Sequence, residues 1–312
     1  MRQSITSHES AAPAATTKAE ITMAGTTHAG TTKSLSSSLV GRHFSPWATL
    51  VAALIVCTTC TTIIAMQRGW RGGRGRANYE IEPQWESNPN FEHDTFTFVR
   101  VIYSDRNWGR QKWATDYPDS DVNFSLRLQQ LTSMKVNPIP EKLELTDPRL
   151  LDYPFLYMIE PGDMELSPQE VDALRKYLLN GGFMMVDDFW GDYEYLNFYG
   201  QIKRVFPEFE PEEVPLEHEI FQCVYPMTER PQVPSIHGFY GGRSYEGGSD
   251  TREVNYKAIY DTAGRMMVFI CHNTDLGDGW EREGENHEYF QQYAVPKSYP
   301  LGINIVTYAM TH

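Results

Sequence analysis

The sequence predicts an α/β domain with an open, mostly parallel sheet and helices on both faces, preceded by one apolar N-terminal segment. Three observations carry this. The stretch from Phe155 to Asp188 reads as strand, helix and strand in succession, and two strands joined by a helical crossover should run parallel with a right-handed connection. Further β-branched and aromatic runs lie at Thr95 to Tyr103, Tyr256 to Tyr260 and Met266 to Cys271, separated by longer segments. Of the 312 residues, those from 94 to 312 look foldable, which is the size of one good-sized domain.

In chain order, residues 1–46 are rich in Thr, Ser and Ala without apolar periodicity and are expected to be disordered. Trp47 to Met66 is a 20-residue stretch without a charged residue, long enough to cross a bilayer as a helix, so the membrane is an expected partner through residues 47–66. It reads as an anchor or as the core of a signal peptide; with Ala65 as the cleavage residue, Ile63 stands at −3, where a small residue is wanted, which makes a poor cleavage site and favours the anchor. Arg68, Arg71, Arg74 and Arg76 follow it and favour a cytoplasmic domain by the positive-inside rule, an argument that a cleaved export signal escapes. Residues 67–93, Arg/Gly-rich and then polar, read as a linker.

The domain of residues 94–312 opens with the strand at Thr95 to Tyr103. A helix from about Asp121 to Ser133 follows, with Phe124, Leu128 and Leu131 on one face, and Leu143 to Leu145 reads as a short strand. Phe155 to Ile159 is an apolar run, as a strand buried on both faces should be. Ser167, Pro168 and Glu170 form a capping box with proline at the first helical position, and Val171, Leu174 and Leu178 give the helix its apolar face. Gly181-Gly182 ends it, and Phe183 to Val186 is the next strand. A helix over Asn197 to Phe206 is expected, then a Pro/Glu-rich surface excursion to about residue 236, a hairpin of the strands near 256 and 266, and a closing helix at Gly302 to Met310. Two connections are too long for passive loops: Ser235 to Asp250, and His272 to Pro300, which holds Asp275, Asp278 and Trp280. Both are expected to be ordered lids over one sheet edge, with Trp280 packed towards Asp187.

Charge narrows the partners. Residues 1–76 carry 8 Lys+Arg against 2 Asp+Glu, a net of +6, and the remainder 19 against 39, a net of −20. A folded part this acidic is not a nucleic-acid binder, because phosphate contacts need a basic surface. Of the four cysteines, Cys57 and Cys60 lie in the apolar segment; a Cys223–Cys271 disulfide has no spacing to support it.

Five motifs in order carry a resemblance: WATDYPDSDVNF at 113–124, LSPQEVDALRKYLLNGGFMMVDDFW from Leu166, HEIF at 218–221, NTDLGDGWE at 273–281 and the final GINIVTYAMTH. Together they resemble the bacterial family known as domain of unknown function 4159, over about residues 94–312. The resemblance implies a flavodoxin-like or class I glutamine amidotransferase-like fold and, from the export signals or membrane segments common in the family, a place in the cell envelope, anchored or exported. The cytoplasmic face of the membrane is the alternative. It implies no activity.

The chemistry rests on the residues. Amidotransferase catalysis needs a cysteine on a strand-to-helix turn with a histidine in reach; the turn after Val186 offers Asp187 and Asp188, and the adjacent Cys271 and His272 point to opposite faces of a strand. What remains is a set of groups at the carboxyl ends of the strands, where open α/β sheets place their ligands. Asp187, Asp188 and Glu160 are the candidate catalytic carboxylates. Asp105, Trp113, Asp116, Tyr117, His272, Asn273, Asp275 and Trp280 are the candidate ligand-binding residues. Paired carboxylates suit acid–base work on glycosides or hold a cation, but they also cap strand ends. Asp119 and Asp121 have the D-x-D spacing of a calcium loop but not its glycine or distant glutamate, so Asp119 or Ser120 is read as the cap of the helix near Asp121. His218 and His237, without i+4 or CxxC-type spacing, are read as structural, no metal set is assigned, and the cofactor is unknown. The expected function is a non-catalytic module for an unidentified small-molecule or glycan ligand, or for envelope assembly; a carboxylate-dependent hydrolase of carbohydrate or cell-wall material is the alternative.

Overall fold

A computed structural model describes residues 81–87, 94–106 and 111–312. The expected tail, the apolar segment 47–66 and most of the linker lie outside the described residues. No helix among the described residues is long and apolar enough to cross a membrane.

The elements in chain order are β1 (Thr95–Phe96), β2 (Val99–Ile102), α1 (Asp119–Leu131), β3 (Lys135–Val136), β4 (Glu141–Glu144), β5 (Phe155–Ile159), α2 (Pro168–Leu179), β6 (Phe183–Phe189), α3 (Gly191–Val205), β7 (Glu212–Glu213), α4 (Ile236–Tyr240), β8 (Asn255–Tyr260), β9 (Met266–His272), α5 (Leu276–Glu281) and α6 (Tyr299–Thr311). Seven strands form the main sheet in the order β4-β2-β5-β6-β9-β8-β7; β1 and β3 pair separately. The pairings from β4 through β9 are all parallel, and β8 is antiparallel to β9 and β7. This is the mixed, mostly parallel sheet with helices that the apolar runs predict.

Strand alternation divides the core into two layers. Phe155, Tyr157 and Ile159 of β5 face one layer with Phe124, Trp280, Ile303 and Ile305, while Leu156 and Met158 face the other with Leu174, Leu178, Phe198 and Ile202. Each inner strand therefore has no polar face, which is why its sequence runs apolar without a break. The capping box on α2 forms as read: Ser167 Oγ accepts from Glu170 N at 3.2 Å and the Glu170 carboxylate from Ser167 N at 2.7 Å.

Several expectations are corrected. The strand expected over Thr95 to Tyr103 is split between β1 and β2, so that β1 pairs with β3 rather than with the main sheet. Helix α1 begins at Asp119 behind Pro118, with no side-chain cap from Asp119 or Ser120. The segment 207–236 is not only a surface excursion, because Val214, Ile220, Phe221 and Val233 enter the core. The cysteines Cys223 and Cys271 are free. The largest departure is the second long connection, where every residue from Cys271 to Trp280 is buried. It forms the floor of the domain rather than a lid.

Candidate functional site

The carboxyl ends of β2, β5, β6 and β9 lie at one edge because these strands are parallel. Glu160 follows β5 and its amide donates to the Asp187 carbonyl at 3.1 Å. At Asp187 and Asp188 the β6–β9 register shifts, and Asp188 takes a positive φ of 52°. A bulge there re-aims two consecutive side chains at the strand end. Among the described residues five non-glycines have positive φ, and Asp116, Glu160, Asp188 and Asn273 of these stand at this edge. Such backbone is costly and persists where the surroundings impose it, often at functional sites.

Asp187 is the centre. It has no exposed surface; its Oδ2 accepts from the Tyr157 hydroxyl and from Gly277 N, each at 3.0 Å, and its Oδ1 has no partner. Burial pushes its carboxyl up to about 7, against the pull of those donors. Asp188 accepts from the Trp190 indole at 2.9 Å, and burial followed by the charges of Glu160, Glu246 and Asp187 pushes it well up.

A second group of carboxylates comes from α5 and from the loop before α1. Asp275 is the N-cap of α5 and accepts from Asp278 N at 2.7 Å. Asp278 accepts from Ile236 N and from Arg282 Nε, the latter at 3.1 Å. Asp116 is half-covered, but its Oδ2 is fully buried and without a partner. One carboxylate oxygen from each of Asp116, Asp275 and Asp278 lies within 4.8 Å of the others. Burial raises all three, most for Asp116 and Asp275; the charge of Glu281 adds to the rise at Asp116 and that of Asp188 at Asp275, while Arg282 moderates Asp278. The two groups meet at Gly277, where a Cβ would stand 2.7 Å from the Tyr157 hydroxyl and 3.0 Å from Asp116 Oδ2.

Arg100, fully buried on β2, sets the loop that carries Asp116. Its guanidinium donates to both Asp121 oxygens, to Ser120 Oγ and to the carbonyls of Trp113 and Thr115, and lies 5.1 Å from the Tyr157 ring centroid. A buried guanidinium needs all its donors met, and this one is met by the segment 113–121.

The remaining candidates take protein partners. Glu160 pairs with Lys112 at 2.7 Å and accepts from Thr115 Oγ1 at 2.7 Å. Asn273 clasps Gly191 N, the Asp250 carbonyl and the Glu253 carbonyl. His272 meets the Gly191 carbonyl at 3.1 Å between the rings of Phe189 and Tyr195, and burial pulls it below its ordinary range. Asp105 is half-buried and bridged to Met164, and is not among the carboxylates grouped with Asp116. Trp113 and Tyr117 are core residues whose rings lie 6.4 Å apart. Trp280 is also core, its ring tilted against Phe124 with centroids 4.4 Å apart and 5.7 Å from the ring of Tyr157, whose hydroxyl donates to Asp187. The first long connection does approach the edge: Glu246 accepts from Ser235 N at 3.0 Å and Asp250 from Asp192 N at 3.0 Å.

The residues that reading the sequence did not place in the site are Asp278, Tyr157, Gly277 and Arg100. A signal existed for Asp278, because Asp275 and Asp278 have the N-cap to N3 spacing that puts two carboxylates on one helical turn. The others carry none, since a tyrosine or arginine inside a strand reads as part of its run.

Fold and site together define an α/β domain with a buried carboxylate centre at the carboxyl edge of its parallel strands. Cys271 stands on the core side of β9 with its thiol pushed well up by burial, and the Cys223 thiol donates to the Asn304 carbonyl. Residues 97–310 match the family described as Domain of unknown function (DUF4159), and the chain belongs to it. Among curated proteins nothing matches the chain.

Proposed function

We propose that this chain is a ligand-binding module of the cell envelope, of flavodoxin-like or amidotransferase-like architecture but without cysteine chemistry, and that its ligand is a small polar molecule carrying positive charge or several hydroxyls. The observation that carries this is the set of buried carboxylates of Asp116, Asp187, Asp188, Asp275 and Asp278, drawn from three parts of the chain, of which Asp278 is paired with Arg282. A group of acids held out of water without matching cations is poorly satisfied by itself and is relieved by a cationic or hydrogen-bond-donating ligand. The test is a thermal-shift screen of the full chain against amines, sugars and cell-wall fragments, followed by product analysis. Binding without turnover, weakened at least tenfold in Asp188→Asn, is expected. Consumption of the ligand overturns the non-catalytic reading.

The second reading, a carboxylate-dependent hydrolase, is favoured by Asp187, because a buried carboxyl brought up to about 7 suits proton transfer near neutral pH. Turnover that disappears in Asp187→Asn would support it. The envelope placement rests on the uncharged stretch 47–66. An alkaline phosphatase fusion after Asn78 should be active only outside the cytoplasm; an inactive fusion puts the domain on the cytoplasmic face.

A further inference from the structure

We propose that Asp116, Asp275 and Asp278 are the protein ligands of a hard divalent cation, Ca2+ or Mg2+, held at the floor of the binding site; this rests on the carboxyl edge being that site. The donors are all carboxylate oxygens, within 4.8 Å of one another. An all-oxygen set with neither imidazole nor thiolate suits Ca2+ or Mg2+ rather than zinc or copper. At the usual Ca2+–oxygen distances, donors on opposite sides of one ion are about 4.6–5.2 Å apart, so three such oxygens fit a single coordination sphere.

An acidic cluster is common without an ion, and a second observation separates this one from the ordinary case. Asp187 is outside the trio, has no exposed surface, and has its Oδ1 without a partner. Its other oxygen is bound to Gly277 N, and Gly277 lies between the two ligands of α5 and against Asp116 Oδ2 and the Tyr157 hydroxyl. The unpartnered Asp187 oxygen therefore belongs to a carboxylate bonded to the backbone amide that lies between Asp275 and Asp278 in the chain. Asp116 Oδ2 is a further buried oxygen without a partner. Buried acceptors are almost always satisfied, and two unsatisfied oxygens, on carboxylates that each meet Gly277 and one of them in the trio, call for positive charge there. Gly277 keeps the space: no side chain fits between the Tyr157 hydroxyl and Asp116. Arg282 answers part of the charge, reaching Asp278 at 3.1 Å and Glu281 at 2.8 Å, and both of those contacts lie on its own helical turn.

The full chain, stripped with EDTA, is titrated calorimetrically with CaCl2 and separately with MgCl2, in the absence of any organic ligand. The expected result is one ion per chain, with the stronger of the two titrations identifying the cation. Asp116→Asn and Asp275→Asn should each weaken it at least tenfold. Asparagine tolerates the positive φ at 116 and serves as N-cap at 275, so both variants are compatible with folding. Asp152→Asn, exposed near the amino end of β5, should leave the affinity unchanged. No binding up to about 10 mM, well above the weakest ordinary Ca2+ sites, or equal affinity in the 116 and 275 variants, overturns the cation. If an organic ligand still binds in the ion-free state and is lost in Asp188→Asn, the binding-module reading survives that failure; if neither binds, both fall.

Discussion

Asp187 concentrates the physics of the site. Its carboxyl is brought from an ordinary value to about 7 by burial, so the folded state holds a proton that the unfolded chain releases near pH 4. The sign follows: this contribution to stability is fully present below the unfolded value and is lost as pH rises through about 7. Its size is on the order of 4 kcal/mol. The urea midpoint of the wild type should therefore fall between about pH 4 and pH 7, in the window those two values set. Asp187→Asn, which keeps a carbonyl oxygen for Gly277 N or Tyr157, should flatten that slope and be the more stable form at pH 8 while binding ligand worse. An unchanged pH slope in the variant would mean that Asp187 is not the titrating group. At this scale the sequence pointed to Asp187 and Asp188 because a run of apolar residues ended in them. It did not point to Tyr157, whose hydroxyl matters only because the register places it opposite Asp187.

The elements divide by how local their causes are. The unit β5-α2-β6 is legible because its signals lie within a few residues: the capping box at Ser167, the apolar stripe, the glycine pair after Leu179. The segment from His272 to Trp280 is not, since its aspartates and glycines read as exposed loop until Trp280 is seen against Phe98, Phe124 and Tyr157. Small residues are there for close approach: Gly279 and Gly302 sit where a Cβ would fall 2.6 Å from Ser298 and Phe124 atoms. Arg100 is another long-range cause, hidden inside an otherwise apolar strand. Arg100→Met leaves Asp121 charged, buried and unpaired, and should cost about 3–5 kcal/mol, read as a lower urea midpoint. If the variant loses less than about 1 kcal/mol, as exposed ion pairs do, the buried pair is not what holds the 113–121 loop in place.

For the molecule as a whole, parallel strands with two apolar faces demand helices on both sides and leave polar side chains at the strand ends, which is why the fold and the edge were readable together. The order of the strands was not, because it depends on pairings up to 84 residues apart, such as Met184 with Val268, and neither was the meeting of Asp116 with Asp275 and Asp278, more than a hundred residues apart. The central claim is that this edge is the binding site. The amino edge offers a competing cavity, lined by Leu151, Tyr153, Pro154, Tyr177 and Gly182 among others. Hydrogen–deuterium exchange of the full chain, with and without a ligand from the screen, decides between them. Slower exchange of backbone amides in 113–121 and 273–281 is the predicted result; protection confined to 151–154 and 177–182 would contradict it.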